Sequence, residues 1–163
     1  MRRPATADLL AASYAYFEAD VGPIAPEVAA ALPCFVWDMD RLRGYPAPVR
    51  SLPLTTVRHF LDAPVWRRAG GRPFTLSPTE VVAAPARHRA HHEQAMRADL
   101  SFPIDLIDCA DGRRLADGYH RLLKATVIGE EEILARLIPE AAIPLVLADL
   151  ATMPPPRGGA RSA

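Results

Sequence analysis

Residues 113–129, Arg-Arg-Leu-Ala-Asp-Gly-Tyr-His-Arg-Leu-Leu-Lys-Ala-Thr-Val-Ile-Gly, leave the chain few ways to fold. Arg113 to Asp117 reads as a short strand, and Asp117-Gly118 is a turn signal. From Tyr119 the pattern becomes helical, with Leu122, Leu123, Thr126 and Val127 as the apolar side, and Gly129 suits the left-handed position just past a helix end. A strand that ends in a tight turn and opens directly into a helix brings free backbone N–H groups and the positive end of the helix dipole to one point. His120 and Arg121 add side-chain donors there, which is the physical recipe for a phosphate or other anion site.

The flanks extend the pattern. Phe102 to Ile107 reads as a strand with Pro103 at its start, where proline removes no ladder bond. Asp111-Gly112 predicts a hairpin that makes this strand the antiparallel neighbour of Arg113–Asp117. Ile133 to Ile138 is a closing strand.

With these elements in place, Asp117-Gly118-Tyr119-His120-Arg121 resembles the Asp-Gly-x-His-Arg motif of the ParB/sulfiredoxin superfamily. Ala98–Ile107 resembles that family's helix end and "Pro-Ile" strand, and Glu132–Ile138 its closing strand. The resemblance covers about residues 72 to 140. It implies an α/β (α+β mixed sheet), ParB/sulfiredoxin-like fold. It also implies a nucleoside phosphate held by the Gly118 and Tyr119 backbone N–H groups and by His120 and Arg121. ATP or another nucleoside triphosphate, carried with magnesium, is the expected cofactor.

Departures from the family narrow the chemistry. Sulfiredoxins place a cysteine before the His-Arg pair, where this chain has Tyr119, so sulfinic-acid reduction is not expected. Partition proteins carry Gly-Glu-Arg-Arg where this chain has Gly118-Tyr119-His120-Arg121. Only about thirty residues follow Gly129, so no DNA-reading domain is expected after the motif. Other branches phosphorylate free serine or are nuclease-like.

Several side chains carry two readings. Asp117 could cap the motif helix, or orient a reacting hydroxyl and hold nucleotide-bound magnesium. Glu80 fits a capping box begun by Ser77 in Ser-Pro-Thr-Glu, with a catalytic carboxylate as the alternative. Lys124, the single lysine against eighteen arginines, lies on the His120 and Arg121 side of the helix and is a candidate phosphate ligand. A basic helix over Arg87–Asp99 precedes the "Pro-Ile" strand. The resemblance implies that its basic residues can face the phosphates, with Arg87 and His88 the candidates, against a merely solvated basic face. His88 and His92 stand four apart, but the segment lacks His-Glu-x-x-His order, so no metal site is expected.

The rest of the chain is read more coarsely. Helices are predicted over Ala5–Ala19, Pro26–Leu32 and Leu54–Leu61, with a last apolar helix over Ala141–Leu150. Cys34–Trp37 reads as a short strand or buried connector, and Phe74–Leu76 as a strand. Arg41 to Pro53, with Gly44 and three prolines, reads as a loop between a helical extension (1–50) and the main domain (51–152). Residues 153–163 read as a disordered tail. Trp37, Trp66 and the first helix would either complete a core or form a homodimer interface.

Composition sets the outer limits. The net charge is zero, which offers no general pull toward DNA or an acidic membrane. Two distant cysteines, Cys34 and Cys109, fit a reducing cytoplasm better than a disulfide framework. No 18-residue apolar run predicts a membrane span, and Asp8, Glu18 and Asp20 do not suit a signal peptide. The expected activity is nucleoside-phosphate binding, with phosphoryl transfer or nucleotide hydrolysis as its enzymatic form. The alternatives are a nucleotide-sensing or protein-interaction module without turnover, and a nuclease or partition-related protein. A small-molecule phosphate acceptor or a protein partner would complete these schemes.

Overall fold

The computed structural model describes residues 6–31 and 36–154. It is a mixed α/β structure: a four-stranded sheet in the order β1-β4-β2-β3, with helices packed on both faces. The strands are β1 (Val49–Pro53), β2 (Ile104–Cys109), β3 (Gly112–Asp117) and β4 (Glu132–Pro139). β2 and β4 are parallel, while β1–β4 and β2–β3 are antiparallel. The helices are α1 (Thr6–Val21), α2 (Pro26–Ala31), α3 (Met39–Gly44), α4 (Pro78–Ala83), α5 (Arg89–Met96), α6 (Tyr119–Ile128) and α7 (Ile143–Val146). Three 3-10 turns join them, at Leu54–Thr56, Arg58–Asp62 and Glu140–Ala142.

Alternation along the central strands sorts their side chains onto two faces. Ile104 and Leu106 of β2, Leu115 of β3 and Ile133 and Ala135 of β4 point into the larger core, with Val81, Ala95, Leu122 and Leu123 from α4–α6. Ile107 of β2 and Ile138 of β4 point the other way, into a second core with Leu42, Ile143 and Val146. Leu9, Leu10, Trp37 and Met39 close that second core. The N-terminal helices are therefore the cover of the sheet's second face. Trp37 and Trp66 each pack against a core.

Several expectations change here. Residues 41–53 hold part of α3 and all of β1, so the expected boundary between residues 50 and 51 falls inside a strand. α3 starts because Asp38 caps it, accepting from the Asp40 and Arg41 N–H groups. The predicted 54–61 helix is two 3-10 turns. The predicted 141–150 helix is a 3-10 turn plus four residues, after which Leu147 turns extended to bridge Trp37. The 74–76 strand reduces to a Trp66–Leu76 bridge, with Phe74 in the left-handed region. Val127 is exposed rather than part of the apolar side of α6, where Ala125 is buried instead. Cys34 and most of the tail lie outside the described residues.

Arg136 joins the sheet to its N-terminal cover. It faces Asp105 across the parallel β2–β4 pair, and its Nε donates to Asp105 Oδ1 at 2.6 Å. Its remaining donors reach the carbonyls of Leu42, Arg43 and Tyr45 at the end of α3. Both residues are buried, at 2 % and 9 % exposure. Removing one partner of a buried pair strands a charge and costs about 3–5 kcal/mol, whereas exposed pairs contribute about 1 kcal/mol or less. Urea unfolding of Arg136→Ala should show a loss of about 3–5 kcal/mol. Arg113→Ala, which removes an exposed pair with Asp108, should lose less than about 1 kcal/mol.

Candidate functional site

The site forms where β3 ends and α6 begins. Asp117 is the last residue of β3, Gly118 takes the left-handed region (φ 111°), and Tyr119 opens the helix. Gly118 is required for two reasons. The positive φ disfavours a side chain, and a Cβ would lie 2.6 Å from Ile104 Cγ2 and 3.1 Å from Ile104 Cα. The helix start is thus pressed against the beginning of β2. At the far end Gly129 is also left-handed, and the Glu130 N–H closes α6 on the Ala125 carbonyl at 2.9 Å.

Two cavities meet at this corner and share Phe102, Asp117 and Arg121 in their walls. The larger, about 500 Å³, adds Arg43, Pro103, Asp105 and Arg136. The smaller, about 310 Å³, lies over the helix start and includes Arg97, Asp99, Gly118, Tyr119 and His120. Four arginines therefore line the pair of cavities against three aspartates. Arg136 is bound to Asp105 and Arg121 to Asp117 (Nη2–Oδ2, 3.0 Å). Arg43 and Arg97 have no ion pair among the described residues.

Asp117 does not cap the helix: the cap position is Gly118, and the Asp117 carboxylate holds Arg121 one turn along. It lines both cavities.

His120 stacks on Trp66, with ring centroids 4.6 Å apart, and Trp66 stacks in turn on His91 at 4.8 Å. Burial lowers the His120 pKa, with a smaller contribution from the nearby charge of His91; Asp117 opposes the shift. Burial also pushes the Tyr119 phenol far above its usual range. His91 Nδ1, Tyr119 Oη, His120 Nε2 and Arg121 Nε are buried without a hydrogen-bond partner. They are the only such side-chain atoms among the described residues, and three of the four belong to the motif.

Other expected residues sit elsewhere. Glu80 completes the capping box: Oε2 accepts the Ser77 N–H at 2.8 Å, while Oε1 pairs with Arg68. The Ser77 N–H first, and Arg68 second, lower its pKa, and it lines neither cavity. Lys124 donates to the Ala98 carbonyl at 2.6 Å, tying α6 to the segment after α5, and also lies outside both cavities. Arg87 and His88 fall on the turn before α5 and line neither cavity, while Arg97, past the other end of α5, lines the smaller one. Sequence reasoning missed Arg43, Arg97, Phe102 and His91.

Among the described residues no cluster of three or more His, Cys, Asp or Glu is arranged to hold a metal ion. Asp99 and Asp117 are the carboxylates beside the helix start. Magnesium that arrives on a nucleotide needs only one or two protein carboxylates, and that donor set fits it. No helix among the described residues is long and apolar enough to cross a membrane. Compared with protein-family models and with curated proteins, the chain matches none of either.

The lowered pKa of His120 has a consequence for stability. Its folded pKa lies below the ordinary value of 6.5, so the unfolded chain takes up a proton that the folded chain resists. The resulting stability is present above pH 6.5 and is lost as the pH falls through that value toward the folded pKa. Urea unfolding between pH 7.5 and 5 should show a flatter acid-side decline for His120→Phe than for the wild type.

Proposed function

We propose that this chain is a ParB/sulfiredoxin-like protein of the cytoplasm that binds a nucleoside phosphate at the start of α6. The observation that carries the reading is that His120 Nε2 and Arg121 Nε, on two residues that line the smaller cavity beside a helix N-terminus, are buried without a hydrogen-bond partner. A buried polar atom without a partner costs about 1–3 kcal/mol, so two on adjacent cavity-lining residues favour a ligand that satisfies them. A phosphate suits these donors: the Gly118 and Tyr119 N–H groups, the Arg121 guanidinium and, where Nε2 carries the proton, His120 all donate to an anion. Arg97 lines the same cavity without a carboxylate partner and adds to the positive field. The sequence motif supports the same ligand class.

For turnover, Asp117 is the carboxylate in place to orient an attacking water or hydroxyl, with Arg121 and Arg97 neutralising developing phosphoryl charge. Both oxygens of Glu80 are committed elsewhere, which removes it from this scheme.

Thermal unfolding with ATP, ADP, CTP and GTP, each with and without magnesium, tests the reading. A ligand at about a hundred times its Kd adds about 2.7 kcal/mol, or about 5–10 °C for a chain of this size. The shift expected with one nucleotide should vanish in Arg121→Ala, whose unliganded transition remains cooperative. No shift with any nucleotide in a folded sample would overturn it.

A further inference from the structure

The larger cavity has a different character from the helix start, and it points to the part of the ligand beyond its phosphates. Phe102 is 61 % exposed, and among the described residues it is the only Phe, Tyr or Trp that is open to solvent to this degree. It lies just before β2, in the shared wall of both cavities, with Pro103 extending the apolar surface. An exposed ring beside a phosphate-type site offers a platform on which a flat ring can stack. Arg43 lines this same cavity from α3, in the second layer. Its backbone is fixed, because its carbonyl accepts from Arg136 Nη1 at 2.8 Å, yet its side chain has no ion-pair partner among the described residues. The two cavity carboxylates, Asp105 and Asp117, are already held by Arg136 and Arg121. The uncommitted guanidinium is donor-only, and it matches a ring edge with two adjacent acceptors, as guanine presents at N7 and O6.

Resting on the phosphate site above, we propose that the larger cavity is a nucleobase subsite in which the base stacks on Phe102 and Arg43 reads an acceptor-rich edge, so that guanine is preferred over adenine. The N-terminal layer then contributes to specificity directly through α3. Phosphate recognition stays with α6, and ring recognition spans Phe102 and Arg43.

Isothermal titration of the full chain with GDP, ADP and inorganic pyrophosphate tests this. Both Phe102 and Arg43 are exposed, so their variants should fold as the wild type does. GDP should bind about tenfold more tightly than ADP, a difference of about 1.4 kcal/mol. Arg43→Ala should abolish that preference. Phe102→Ala should weaken GDP about tenfold while leaving pyrophosphate affinity unchanged. ADP binding as tightly as GDP, or either variant weakening pyrophosphate as much as GDP, would overturn the base subsite and leave the phosphate site standing. Failure of all three ligands to bind would overturn the phosphate site and the base subsite together.

Discussion

The Asp105–Arg136 pair holds the two halves of this molecule in register. A buried charge pair gains little unless every donor and acceptor is satisfied, and here the arginine's donors reach one carboxylate and three carbonyls. The carboxylate comes from β2 and the arginine from the parallel neighbour β4, so the pair sits at the centre of the sheet. The carbonyls belong to the end of α3, so the same guanidinium fixes the N-terminal layer against that centre. One consequence is geometric: Arg43 is carried to the rim of the cavity whose floor holds Asp105 and Arg136.

The candidate site follows from the sheet's connectivity. The β2–β3 hairpin returns the chain to the level where β2 began, and Gly118 then turns it into α6 at once. The close approach of Gly118 to Ile104 leaves no space for a side chain, and it aims the first turn of α6 at the mouth between β2 and the segment before it. Arg97 arrives at the same mouth past the end of α5, and Lys124 holds that stretch by the Ala98 carbonyl. Lys124 thus acts on the site by placing its wall. Trp66 stacks on His120, whose pKa burial lowers, and so holds the imidazole in the wall of the smaller cavity.

What could be read from the sequence was local. The strand, turn and helix over 112–129, the hairpin at Gly112, the capping box at Ser77 and the first two helices each have their own short-range signals. β1 did not show because Pro46 and Pro48 precede it and Pro53 ends it, and prolines are tolerated where a strand lies at a sheet edge. The last helix was overestimated because Ala141–Leu150 is apolar apart from Asp149, and apolar runs do not reveal that Leu147 pairs with Trp37. Site residues divided the same way. Gly118, Tyr119, His120 and Arg121 belong to one contiguous motif, while Arg43, Arg97 and Phe102 come together only through the tertiary fold. Glu80 and Lys124 had the right chemistry, but their partners Arg68 and Ala98 could not be found by spacing alone.

The central claim is that a nucleoside phosphate is held by the backbone at the start of α6. Proton–nitrogen correlation spectra of the labelled protein, recorded during titration with GDP, test it most directly. The account predicts saturable shifts of the Gly118, Tyr119, His120 and Arg121 amides and of the Trp66 indole, with the amides of the β1–β4 edge unmoved. Spectra in which those four amides stay in place at saturating nucleotide, or in which the shifts gather on another surface, would contradict it.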